Sequence, residues 1–246
     1  MNNYHRQFLY TIFLIGTMSC KKHESFVLPE YTKAKFTVST KCDASDIFTD
    51  SLININSSGN IYSIHTVNFY ISNIKLKRDD DSIYTSNKII YIDPLLSLKN
   101  NFYLDSIPVG NYTEISYNIG IDAIRNKDYS LTSTLDNLNM AWPTAMGGGY
   151  HFLKMEGHYL DTLNISQGYA VHLGKNENLI TINQNLALKQ RNDNHEYSMI
   201  FNLNEVFANP NKYDLNIENN YTMSDSIAML KIKNNIKDAF NIIQNR

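Results

Sequence analysis

The chain has 246 residues, 43% of them hydrophobic and 12% aromatic, with a formal net charge of -2. This is a globular composition, and a pI near 6.4 offers no basic footprint for nucleic acid. The length suits one large all-β domain or two small ones.

Residues 8–18 form an apolar run behind a polar segment carrying Arg6. The run is short of the roughly 20 residues that cross a bilayer and fits the h-region of a secretory signal. It closes on Gly16-Thr17-Met18-Ser19-Cys20, which resembles a bacterial lipobox with Thr17 in place of the usual leucine-like residue. The expected organisation is a lipoprotein signal peptide over residues 1–19, a lipidated Cys20 with a polar tether over 20–34, and a folded domain over 35–246. That places the protein in the bacterial cell envelope, held to a membrane by its lipid. An ordinary secretory signal with an incidental cysteine is the alternative. If Cys20 is acylated, Cys42 is the remaining thiol and no intramolecular disulfide can form. Cys42 is then a buried or surface thiol, or a soft metal ligand.

Alternation opens the domain as a strand over residues 35–40, and the polar stretch 41–60 reads as a long loop. Residues 63–77 carry the longest strand signal. His65, Val67, Phe69 and Ile71 share one face, Ile74 and Leu76 fall on the opposite parity, and the flip at Ser72-Asn73 predicts a β-bulge or a change of sheet. A short strand over 88–92 ends at Asp93-Pro94. A turn at 108–111 feeds a cleanly alternating strand over 112–119. A long polar connection leads to the loop around Trp142. Further strand signals lie at 150–160, 168–173, 179–183 and 196–203. Met229, Ile232, Ile236, Ala239 and Ile243 recur at helical spacing, so the chain is expected to end in a helix started by Ser224 and Asp225. Many short strands, few helices and Gly/Pro/Asn turns argue an all-β fold, a β-sandwich or flattened barrel with long loops and a short C-terminal helix.

Chemistry concentrates in residues 140–157. They hold the only tryptophan, Trp142, followed by Pro143, and the triple glycine Gly147 to Gly149. Proline pushes Trp142 toward extended geometry, and the glycines let the backbone turn where other residues cannot. His151 follows on a strand. Five histidines lie in the expected domain: His65, His151, His158, His172 and His195. Imidazole suits copper and zinc, and ligands from separate strands can converge at one end of a sandwich. His172 stands between Ala170 and Gly174 on one strand face, which leaves room around its ring. No nucleophile elbow, P-loop, dinucleotide loop or HExxH helix is present, so no catalytic residue is assigned and the chain is not read as an enzyme.

Several segments together resemble the MbnP-like family. They are M-x-W beside a glycine-rich loop, G-Y-x-F-x-K-x-E-G, V-H-L-G around His172, F-Y-I-S-N-I-K-L from Phe69, P-V-G-N-Y from Pro108 and Y-N-I-G-I-D from Tyr117. Their order matches across roughly residues 36–240. The resemblance implies a secreted or lipid-anchored β-sandwich, some relatives of which bind copper through histidines and a tryptophan oxidised to kynurenine. A di-haem cytochrome peroxidase-like partner is thought to make that modification. Carried over by position, Trp142 matches the family's tryptophan and His172 the histidine of H-L-G, whereas His151 stands where relatives often have another residue; the expected ligands are His172 and His151 with His65 third, and Trp142 is a ligand precursor or a wall of the site. Copper-binding relatives show W-x-W, where this chain has Thr144. The expected function is copper binding for uptake, storage or delivery, weakening as the imidazoles protonate near about pH 6.5. The alternative is a metal-free cell-surface interaction module for a peptide, glycan or protein, with Trp142 and Tyr150 as contact aromatics.

Overall fold

The alternating segments resolve into two facing sheets in the computed structural model, which describes residues 30–190 and 195–245. The expected signal peptide and Cys20 lie outside the described residues. In chain order the strands are β1 (Tyr31–Cys42), β2 (Ser45–Asp46), β3 (Asn54–Ile55), β4 (Ile61–Tyr62), β5 (Thr66–Arg78), β6 (Ile83–Ile92), β7 (Asn101–Pro108), β8 (Gly110–Ile119), β9 (His151–Leu160), β10 (Ser166–Gly174), β11 (Ile180–Gln190), β12 (His195–Asn202) and β13 (Phe240–Gln244). Two α-helices, α1 (Leu135–Asn139) and α2 (Ser226–Ile236), and four short 3-10 helices complete the regular structure among the described residues. β1 begins at Tyr31, so residues 31–34, expected in the tether, already pair in a sheet.

The smaller sheet runs β13-β12-β1-β2, with β7 also on β1; β1 and β12 are parallel. The larger sheet runs β11-β8-β5-β9-β4-β3, with β10 on β9 and β6 on β5. Two-residue periodicity sends Ala34, Phe36 and Val38 of β1, and Tyr197, Met199 and Phe201 of β12, to meet Val67, Phe69 and Ile71 of β5 in one continuous core. Phe69, Phe201 and Phe240 close it as a triad, with ring centroids 5.7, 5.5 and 4.3 Å apart. The parity flip in β5 is a bulge. The ladder to β6 shifts between Ser72 and Ile74, and Asn73 sits at φ 51.

The C-terminal expectation is corrected in part. Asp225 caps α2, accepting from the N–H groups of Ile227 and Ala228, and the helix buries Met229, Ile232 and Ile236. It ends at Ile236, and Phe240–Gln244 returns as β13 against β12. Phe240 and Ile242 then alternate inward as strand residues, leaving Ile243 on the exposed face. Strand β7, which the sequence pattern did not single out, covers β1 because Phe102, Leu104 and Ile107 are buried against it.

The outer face of the larger sheet is partly covered. Residues 120–150 fold back over it and build a second small core from Tyr70, Ile121, Met140, Tyr150 and Phe152. Gly120 makes this return feasible. It sits at φ +113, and a Cβ there would strike the Phe152 ring. That covered face carries the rim on which Trp142 and two histidines meet.

Candidate metal centre

The Trp142 loop is a closed structure. The N–H of Trp142 donates to the Gly149 carbonyl at 2.9 Å and that of His151 to the Met140 carbonyl at 2.7 Å, with Ala141 bridged to Tyr150. Thr144–Met146 makes one 3-10 turn, and Gly147, Gly148 and Gly149 follow at φ 112, 69 and 86. Asp128 holds the far side, accepting from the Thr144 hydroxyl at 2.9 Å and from the Gly149 N–H at 2.5 Å, while Asn126 accepts from the Tyr150 N–H at 2.9 Å. A Cβ on Gly148 would meet Asp128 and one on Gly149 would meet Asn126, so two of the three glycines are required by space as well as by backbone angle.

This closure buries Trp142 to 1% exposure. Its indole N–H donates within the loop, to the Met146 carbonyl at 3.3 Å. Its ring also lies on Gly174 of β10, where any Cβ would collide with it. An intact indole is a donor only, so Trp142 as it stands is a wall rather than a ligand.

His151 lies with its ring centroid 4.7 Å from that of Trp142 and 4.8 Å from that of His172. Its Nδ1 is 3.1 Å from the Met140 carbonyl. A carbonyl only accepts, so Nδ1 carries the proton and Nε2 holds the lone pair. Nε2 is buried and has no hydrogen-bond partner. Burial, reinforced by the neighbouring His172 ring, lowers the His151 pKa to about 4. His151 is therefore neutral well below the pH range expected from an unperturbed imidazole.

His172 projects from β10 opposite in parity to the buried Tyr169, Val171 and Leu173. Its Nε2 lies 2.7 Å from Oε1 of Glu156 on the neighbouring strand. A carboxylate favours Nε2–H, so whenever the ring is neutral Nδ1 is its lone-pair nitrogen. The bond from His172, then the Lys154 charge 3.5 Å away, hold the Glu156 carboxyl down at about 2 against the opposing effect of burial. Thr222, fully buried, accepts from the His172 N–H at 2.8 Å and donates to its carbonyl at 2.7 Å, fixing the strand edge under the ring.

The structure thus brings Trp142, His151 and His172 together and adds Glu156, Thr222 and the Met140 carbonyl as their supports. His65 stands apart. Its Nδ1 is bound to Asp50 at 2.8 Å, and its side chain is 64% exposed. It borders a shallow groove that also touches Glu156 and His158, so it reaches only the outer end of the cluster. His195 begins β12 in the other sheet. Cys42 is buried in the inter-sheet core, 3.2 Å from the Tyr62 hydroxyl, and burial pushes its thiol pKa up. It is neither a reactive thiol nor a neighbour of the histidine pair.

Among the described residues no group of three or more His, Cys, Asp or Glu is arranged to hold a metal ion. The donor set at the rim is two imidazoles. That is short of the four ligands a structural zinc site takes. Copper accepts imidazole, and in its reduced state it tolerates low coordination. The bare, buried Nε2 of His151 fits such an ion, since a buried nitrogen lone pair without a partner is otherwise costly.

Among known proteins, a family model described as MbnP matches residues 30–227. A solved structure, MbnP from Methylosinus trichosporium, superposes with a TM-score of 0.59 at 11% identity, covering 88% of this chain and 100% of that one. At that identity the likeness is one of fold. A search of curated proteins finds no match.

Proposed function

The chain belongs to the MbnP family, and from that premise we propose that it is a copper-binding protein of the bacterial cell envelope, serving uptake, storage or delivery. The observation that carries this reading is the unpartnered, buried Nε2 of His151, on a ring whose centroid lies 4.8 Å from that of a second imidazole, His172. His151 offers Nε2, with Nδ1 locked on the Met140 carbonyl. His172 offers Nδ1, with Nε2 locked on Glu156. Both tautomers are set before any ion arrives, so little ordering is required on binding. Trp142 walls the site and excludes water. His65 is assigned an outer, dispensable place because Asp50 engages its ring.

Conversion of Trp142 to kynurenine would cleave the indole C2–C3 bond, release C2 as formate and leave a ketone and an arylamine beside His151. That step needs an external oxidant, a role for which the di-haem peroxidase-like partner implied by the family resemblance is proposed. Lipid attachment at Cys20 is proposed on the sequence pattern alone.

Copper titration of the metal-free protein tests the reading. His151→Ala and His172→Ala should each abolish tight binding, whereas His65→Ala should leave stoichiometry and affinity near those of the parent. Unchanged binding in both rim variants overturns the site. Intact mass and metal content of protein from its native host separate this reading from a metal-free interaction module.

A further inference from the structure

The outer face of the larger sheet carries a trough that leads to His172. Along β10 that face reads Gly168, Ala170, His172, and their partners across the ladder on β9 are His158, Glu156 and Lys154. Gly168 and Ala170 offer almost no side chain, and a groove of about 250 Å³ lies over them. His158, Glu156 and His65 wall it on one side and Tyr221 on the other, with the Tyr221 hydroxyl 2.9 Å from where a Cβ on Gly168 would stand. From His158 to Lys154, the partner of His172, is about 13 Å along the strand. Donors that can hold a metal follow one another into the protein. The side chains of His65, Glu156 and His172 are 64%, 30% and 15% exposed, and His151 is buried. Asp50 holds Nδ1 of His65 at 2.8 Å, which leaves its Nε2 for an incoming ion. The contacts of Glu156 with His172 and Lys154 both fall on Oε1, which leaves Oε2 available.

Given the copper centre proposed above, we propose that this trough is the path by which the ion enters and leaves it, with His65 and His158 as the capturing donors and Glu156 as the intermediate one. Sites along a path must bind well enough to admit an ion and weakly enough to release it. An exposed imidazole and a carboxylate oxygen are weak sites for a soft monovalent ion, whereas the two preset imidazoles of the rim hold it. Asp50 and Glu156 lend the trough negative charge, opposed by Lys154 at its inner end. A path changes association and dissociation together and leaves affinity alone. His65 is thereby dispensable at equilibrium and important for rate.

The test follows the emission of Trp142, the only tryptophan, as metal-free protein is mixed anaerobically in stopped flow with copper(I) as its acetonitrile complex, or with silver(I) as a redox-inert stand-in. The double variant His65→Ala/His158→Ala, altered at two exposed positions, should lower the association rate about tenfold while a chelator titration gives unchanged affinity. Ala170→Leu adds a side chain to the floor and removes no donor, and it should slow association and dissociation several-fold, again at unchanged affinity. His195→Ala, in the other sheet, should leave the rates as they are. Unchanged rates in both the double variant and Ala170→Leu overturn the path alone, as does a loss of affinity in the double variant. Tight binding retained by both His151→Ala and His172→Ala overturns the copper centre and the path with it.

Discussion

His151 couples the rim to proton concentration. Its folded pKa is lowered to about 4 by burial, from an ordinary 6.5. The unfolded chain takes up a proton near the ordinary value, and the folded protein refuses it until about pH 4. Stability present above the ordinary value is therefore lost as pH falls through that window, by up to about 1.4 kcal/mol per pH unit. Glu156 acts in the same sense lower down. Its carboxyl is held at about 2 against an ordinary 4.5, so its contribution is lost between those values. Urea titration of the metal-free protein near neutral pH and near about pH 5 should show the first decline, and His151→Gln should flatten it. Glu156→Gln has a separate expected outcome. It keeps the shape but removes the charge that fixes the His172 tautomer, so copper affinity should fall about tenfold or more with stoichiometry intact. Titration with a competing chelator measures it.

Within the Trp142 loop the three glycines are not equivalent. Gly147 has open space around its Cβ position, and only its φ of +112 opposes a side chain. Gly148 and Gly149, at φ +69 and +86, make a smaller backbone demand but add a collision with the Asp128 and Asn126 side chains, which hydrogen bonds hold in place. Gly148→Ala and Gly149→Ala should therefore destabilise more than Gly147→Ala, by about 1–3 kcal/mol against denaturant. Gly174→Ala, on the next element, pushes directly on the indole. It should shift Trp142 emission toward that of a solvated ring even where the overall fold survives. Each outcome follows from the loop being clamped at both ends, by the Met140–His151 pairing and by Asp128.

Across the whole molecule, the two sheets are joined by aromatic contacts far apart in sequence. Phe69, Phe201 and Phe240 come from β5, β12 and β13. Phe69→Ala should cost about 3–5 kcal/mol, read from a lower urea midpoint, because the void it leaves is bounded by strands that cannot collapse independently. The rim is built on the larger sheet and its own small core of Tyr70, Ile121, Met140, Tyr150 and Phe152. Its integrity depends on that second layer as much as on the inter-sheet core.

Period-two alternation was enough to place most strands, because each buries one face and the pattern is written locally. The bulge at Ser72-Asn73 was legible for the same reason, as a parity flip within one strand. The glycine loop announced itself through residues whose backbone freedom has few other uses. The last turn of the chain was misread since Met229, Ile232 and Ile236 are helical while Phe240 and Ile242 alternate, and short apolar runs satisfy both periods. Glu156 was within reach: a hairpin turn at residues 161–165 pairs His172 with Lys154 and sets Glu156 diagonally beside it. Thr222 and the Met140 carbonyl carried no such signal. Composition and periodicity determined an all-β fold, a sandwich or flattened barrel, with an aromatic, glycine-rich loop near its histidines. Which imidazoles meet was decided only by tertiary structure, because convergence depends on strand register and on which neighbour, Asp50 or the Met140 carbonyl, claims each ring first.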